Sequence, residues 1–258
     1  MHYNPDFITH RTILNATEAD ELSRLSTLYP LTTFLNDARN FEEMMVDFVY
    51  TSAKIEGNTY DRIDTDNLLR LGITAGGKRY SDAVMLRNLR NSFERIMNIQ
   101  TDAISLDLDY LCDTHAILMK DLLEAAQIGS VRTSPVTIGA TRYKPPARIQ
   151  QLRDEVKIIL ECAPNYNNPF EQAIYLHCNL AYLQYFKDGN KRTARMMQTA
   201  ALVNHQVLPL FFQESLIDRY VRALVSYYET GDYSAYIAFF IDNYRLNIMN
   251  FLGLEDAP

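Results

Sequence analysis

Gln184-Tyr185-Phe186-Lys187-Asp188-Gly189-Asn190-Lys191-Arg192-Thr193-Ala194-Arg195 decides how this chain is read, because turn, helix-start and phosphate chemistry fall within one short stretch. Asp188-Gly189-Asn190 is turn chemistry: Gly189 can take positive φ, and Asn190 suits the N-cap of a following helix. The first main-chain N–H groups of a helix have no partner inside it. Together with the helix dipole they favour an anion, best a phosphate. Arg192 and Arg195 are three apart, so both rise from one side of the first turn. Guanidinium groups match phosphate oxygens through paired hydrogen bonds. Asp188 offers a hard oxygen ligand that could hold Mg2+ beside the cradle. Together these features predict a polyphosphate site; any one of them alone describes only a capped turn with solvated arginines.

Working outward, apolar residues recur at helical spacing, and only 9 Gly and 9 Pro interrupt 258 residues. Asn168-Pro169-Phe170-Glu171 reads as a helix start, with Asn168 as N-cap, Pro169 first in the helix and Glu171 closing a capping box. That helix should run to about Phe186, and the next from about Asn190 to Asn204. Upstream, helices are expected over Asn40–Gly57, Asp82–Asn98 and Leu106–Gln127, and downstream over Gln213–Glu229 and Tyr233–Phe251. In the first, Phe41, Met44, Met45, Phe48, Val49 and Ser52 fit one face. Ser130–Pro146 breaks the pattern: it is β-branched, lacks a helical period and centres on Gly139-Ala140-Thr141, which predicts a short β-hairpin. The fold class expected is an all-α helical bundle carrying one short β-hairpin.

Composition narrows the function classes. At 47% hydrophobic the chain can bury a sizeable core. Lys and Arg number 25 against 32 Asp and Glu, a net charge of −7, which argues against a protein that coats nucleic acid. Cys112, Cys162 and Cys178 have no CxxC spacing and fit neither a disulfide framework nor a zinc site, consistent with a reducing cytoplasm. No apolar run approaches 18 residues and no signal peptide is visible, so no membrane association is expected.

The motif resembles that of the Fic family, H-x-F-x-D/E-G-N-G-R-x-x-R on a helix–loop–helix. Phe186, Asp188, Gly189, Asn190, Arg192 and Arg195 match it position for position. Val136-Thr137-Ile138-Gly139 through Tyr143-Lys144-Pro145-Pro146 is similar to the family's flap hairpin. Ser52-Ala53-Lys54-Ile55-Glu56-Gly57 fits its inhibitory pattern S/T-x-x-x-E-G/N, placed ahead of the core. The resemblance implies a Fic fold with an N-terminal inhibitory helix at about 40–57 within an N-terminal region 1–104. It implies a core over 105–210, with a flap at about 130–146 and the motif at 184–195. Residues 211–258 would form C-terminal helices packed on the core or a homodimer surface.

The same resemblance implies ATP with Mg2+ as substrate and transfer of AMP to a Ser, Thr or Tyr hydroxyl of a target protein. By position, Asp188 would bind Mg2+, Gly189 and Asn190 would line the anion hole, and Arg192 and Arg195 would face phosphates, while Lys191 beside the cradle would either rearrange the nucleotide or stand as a solvated helix-start lysine. Val136, Thr137 and Ile138 would hold the target segment by strand addition. Glu56, with Ser52 and Gly57 in its pattern, would pair with Arg195 and occupy the arginine that the γ-phosphate needs.

Two positions depart from the pattern: the motif His is Gln184, and the second motif Gly is Lys191. A Gln amide can orient a hydroxyl but has no basic lone pair to deprotonate it. General base catalysis is worth roughly 10²–10⁴-fold, so reduced or lost transfer is expected. His177 lies about 10 Å back along its helix, at 1.5 Å per residue, too far for direct proton transfer. The position of His115 is not fixed by the sequence. Three readings stay open: an adenylyltransferase fold with weakened activity, a non-catalytic nucleotide-binding regulatory module, and a deAMPylase-like or kinase-like variant.

Overall fold

The computed structural model describes residues 1–98 and 103–254. Residues 99–102 of the expected N-terminal region and 255–258 of the expected C-terminal region lie outside the described residues. The elements are α1 (Ala16–Leu28), α2 (Leu31–Asn36), α3 (Ala38–Ile55), α4 (Arg62–Leu71), α5 (Tyr80–Met97), α6 (Leu108–Met119), α7 (Ile149–Cys162), α8 (Pro169–Leu183), α9 (Asn190–Asn204), α10 (Ile217–Thr230) and α11 (Ser234–Phe251), with short 3-10 turns between some of them. The fold is all-α.

The centre is the helical hairpin α8–α9. Every residue of α8 except Pro169 and Glu171 is buried, and every residue of α9 except Lys191 and Asn204. A helix apolar on all sides must be enclosed by others. Here α7 and α10 pack on α8, α5 and α6 pack on α9, and α3 packs on α5. Several polar side chains in this centre are paired with one another. Asn179 donates to Tyr175 O at 2.9 Å and to Tyr233 Oη at 2.8 Å, and accepts from Tyr227 Oη. Gln198 accepts from Tyr236 Oη at 2.7 Å.

Asn168 caps α8, with Oδ1 accepting from Phe170 N and Glu171 N. The expected capping box is left half made. Glu171 turns outward to accept the N–H groups of Ile13 at 2.7 Å and Leu14 at 3.0 Å, so its carboxylate ties down the N-terminal segment instead. The helix expected over Leu106–Gln127 stops at Met119. Asn88 Nδ2 takes the carbonyls of Leu118 and Lys120, and Asp121 adopts φ 60°, which turns the chain back on itself. α1, α2, α4 and α7 are additional to the sequence expectation. α2 is too short to display a period, whereas the stripe Leu152, Val156, Ile159 and Leu160 of α7 is regular.

The expected β-hairpin over Ser130–Pro146 does not form. Its turn exists at Gly139-Ala140, where Ala140 takes φ 64°, but the two arms do not pair with each other. Pro135, Pro145 and Pro146 have no N–H to offer a ladder. Arg132 N–H is committed to Tyr185 O at 3.0 Å, and Lys144 pairs with the N-terminal segment through Met1 O and Tyr3 N–H. The result is an open loop whose one β-bridge among the described residues joins Lys144 to His2.

Candidate active site

α8 ends at Leu183, short of the expected Phe186, because its C-cap Gln184 sits in the left-handed region at φ 53°, ψ 54°. A side chain there costs on the order of 1–2 kcal/mol. The Gln184 amide offsets it: Nε2 donates to Ala181 O at 2.7 Å, and Oε1 accepts from Asn190 Nδ2 at 3.2 Å. Asn190 is not the N-cap the sequence suggests. That position is Gly189, at φ 76°, and Asn190 opens α9. Its side chain folds back on the loop, accepting from Phe186 N at 2.8 Å and donating to Phe186 O at 2.9 Å. Gly189 is required by space as well as by φ, because a Cβ there would lie 2.6 Å from Met119 Sδ.

Two residues outside the motif hold this loop. His115 is fully buried on α6 and stacks on Phe186 with ring centroids 3.7 Å apart. Gly129 N–H donates to its Nδ1 at 2.9 Å, so that nitrogen carries no proton, and Nε2–H donates to Asp188 O at 3.0 Å. Burial, chiefly, lowers its pKa to about 4, and the Arg192 charge adds to the effect. Arg132, buried in the flap stretch, reaches the other end. Its guanidinium donates to Gln184 O at 2.6 Å, to Ser134 O at 3.0 Å and to Pro146 O. Neither residue carries a local sequence signal, since the partners of Arg132 and His115 include groups more than 50 positions away in the chain.

The helix start presents the expected cations. The intrahelical ladder begins with Thr193 N–H to Gly189 O at 2.9 Å, which leaves the N–H groups of Asn190, Lys191 and Arg192 outside it. Arg192 is buried, yet among the described residues its Nε and Nη1 have no partner; Nη2 reaches Asp188 Oδ2 at 3.3 Å. Arg195 is fully buried. Its Nη2 donates to Glu56 Oε1 at 2.9 Å and to Ser52 O at 3.1 Å, and its Nη1 lies 3.4 Å from Tyr220 Oη. Lys191 Nζ stands 3.4 Å from Glu56 Oε2. Burial alone would raise the Glu56 carboxyl, but the charges of Arg195, Lys191 and Arg192 together with the Arg195 hydrogen bond outweigh it and hold the pKa at about 2.

The fold thus brings Ser52, Glu56, Lys191 and Arg195 into one cluster, and Asp188, Gly189 and Arg192 into another on the same turn. Glu56 caps α3 and Gly57 follows at φ 79°. Asp188 is exposed and is an oxygen donor suited to Mg2+. Among the described residues no three His, Cys, Asp or Glu side chains converge, so a cation here would draw its remaining ligands from phosphate and water. Val136 and Ile138 are half-buried and Thr137 is exposed. The flap meets the motif loop through Arg132 and through Lys187 Nζ donating to Ser134 Oγ at 3.0 Å. His177 is buried with Nε2 3.1 Å from Tyr220 Oη and its ring stacked on Tyr236, which leaves it no path to the loop surface.

An all-α bundle that encloses a helical hairpin, with arginines at the start of the second helix and a carboxylate from an upstream helix upon them, defines a Fic-type fold. Residues 105–202 match the family model described as Fic/DOC family. Protein adenylyltransferase fic-1 of Caenorhabditis elegans is 23% identical over 210 residues, covering 80% of this chain and 41% of its own length. Protein adenylyltransferase Fic of Culex quinquefasciatus is 23% identical over 229 residues, covering 84% and 43%. The chain therefore spans about two-fifths of the length of these curated relatives. Among solved structures, a Fic family protein from Desulfovibrio desulfuricans superposes with TM-score 0.80 at 20% identity, covering 95% of this chain and 76% of that one. Fic-1 from Caenorhabditis elegans gives TM-score 0.72 at 19% identity, covering 93% and 72%. Among the described residues, no helix is long and apolar enough to cross a membrane.

Proposed function

We propose that the Asp188–Arg195 turn binds ATP with Mg2+, that Glu56 closes the site, and that AMP transfer to a protein hydroxyl is weak because Gln184 stands where a base is needed. The observation that carries this reading is Arg192: a buried guanidinium with Nε and Nη1 unpartnered is costly unless an anion completes it. Asp188 would hold the cation, which supplies neutralisation of phosphate charge. The free N–H groups of Asn190, Lys191 and Arg192 would take phosphate oxygens. Residues 136–138 of the flap would take an extended target segment.

In the transfer, the target hydroxyl oxygen bonds to the α-phosphorus, pyrophosphate leaves, and the hydroxyl proton must go to a base. The Gln184 amide is engaged at both ends and is not basic. His115 presents no basic nitrogen to the turn, since its free-pair nitrogen accepts from Gly129. This engagement of Gln184 favours a second reading, a nucleotide-binding regulatory module without turnover. A carboxylate-assisted removal of AMP by Glu56 is less supported, because both Glu56 oxygens face cations.

Calorimetry with ATP and Mg2+ tests binding: Glu56→Gly should bind at least tenfold more tightly than the natural chain, and absence of binding in both would overturn the reading. Labelled ATP tests transfer: Gln184→His in the Glu56→Gly background should raise incorporation by about 10²–10⁴-fold. Binding that persists with no incorporation even after Gln184→His supports the regulatory module.

A further inference from the structure

Lys191 is where the chain departs from the family glycine, and its surroundings give it a definite electrostatic problem. It occupies the first turn of α9, where a cation opposes the helix dipole. Arg192 follows it directly, and Arg195 lies one turn on. Three cations therefore crowd a helix start whose free N–H groups are themselves positively polarised. Glu56 answers this with one oxygen for each of two cations: Oε1 for Arg195 and Oε2 for Lys191.

The two cations are not equivalent. Arg195 is 1% exposed and is also held by Ser52 O and the Tyr220 hydroxyl, so it stays in place whatever Glu56 does. Lys191 is 33% exposed, and Glu56 is its single charged or hydrogen-bonding partner among the described residues. Its four-carbon stem lets the ammonium move to another anion at the same turn. If Glu56 withdrew with nothing replacing it, Lys191, Arg192 and Arg195 would face Asp188 alone.

We infer that Lys191 has two alternate ligands: it is a second latch on the Glu56 carboxylate in the closed state, and a phosphate-binding cation once that carboxylate withdraws. The inference rests on the reading of this turn as a nucleotide site. It makes Lys191 the residue that exchanges one anion for the other, while Arg192 and Arg195 hold still.

A double-mutant cycle with an exchange measurement tests it. Lys191→Gln keeps the stem and removes the charge; Lys191→Arg keeps the charge. In the Glu56→Gly background, Lys191→Gln should weaken ATP·Mg binding by about threefold, the scale of a partly exposed ion pair. With Glu56 present the same change should cost nothing or tighten binding, because the lost phosphate contact is offset by a looser latch. Hydrogen exchange reads the latch without nucleotide. The amides of Gly57 and Asn58, bonded to Lys54 O and Ala53 O, should exchange about threefold faster in Lys191→Gln and at the natural rate in Lys191→Arg. An equal loss of affinity in both backgrounds, or unaltered exchange, overturns the two-ligand assignment. Faster exchange with no ATP bound by any variant leaves the latch standing and removes the phosphate half together with the nucleotide reading.

Discussion

Glu56→Gln removes one negative charge from the most desolvated part of the site while keeping the side chain's shape. The Glu56 carboxyl is held at about 2 against an ordinary 4.5, and each pKa unit is worth about 1.36 kcal/mol, so the ionised form contributes about 3 kcal/mol to folding. Solvent screens little of this, since Glu56 is 13% exposed and Arg195 is 1% exposed. The figure agrees in scale with the roughly 3–5 kcal/mol lost when one partner of a buried ion pair is removed. For a chain of this size it corresponds to a fall in Tm of about 6–12 °C at pH 7.

The pH dependence has a fixed sign. A carboxyl whose folded pKa is depressed contributes fully above its unfolded pKa and loses that contribution as pH falls through the folded value. The stability gap between the natural chain and Glu56→Gln should therefore be constant from pH 7 to about 5. It should shrink to roughly half near pH 3 and approach zero below pH 2. Urea denaturation of both proteins at stepped pH measures it. A gap that stays constant between pH 7 and pH 3 would refute the ion pair as its source and point to lost packing instead. ATP with Mg2+ should stabilise the Gln variant more than the natural chain, by mass action on the opened site.

Two further substitutions probe the loop itself. Gly189→Ala should destabilise by about 1–2 kcal/mol, since a non-glycine residue at φ 76° is strained and its Cβ would press on Met119 Sδ; an unchanged urea midpoint would exclude that geometry. Arg132→Met removes donors from the carbonyls of Gln184, Ser134 and Pro146, and should cost about 3 kcal/mol while exposing residues 133–142 to protease. Retention of both stability and protease resistance would mean that the flap is held by other contacts.

Much of this molecule is legible in its sequence wherever local rules decide the outcome. The bounds of α9 follow from Gly189 and the apolar pattern to Asn204, and the start of α8 from Asn168-Pro169. The Glu56 carboxylate and Arg195 guanidinium, 139 positions apart, meet at 2.9 Å, a contact the sequence suggests only through a family spacing. What sequence periodicity misreads is where tertiary bonds overrule it. Glu171 fits a capping box but serves Ile13 and Leu14, Asn190 fits an N-cap but clasps Phe186, and the 130–146 stretch has β composition but spends its donors on Tyr185 and the N-terminal segment. His115 was invisible because its role depends on Asp188, Gly129 and Phe186 coming together from three separate places in the chain.

The near-complete enclosure of α8 and α9 has an evolutionary corollary. The geometry of the turn joining them is held mainly by the packing beneath it and by main-chain bonds from His115 and Arg132, to which the group at position 184 adds two side-chain bonds. Reactive side chains can thus be exchanged by mutation without deforming the scaffold that displays them. A fold built this way can keep its recognition surface whether or not position 184 carries a group able to move a proton.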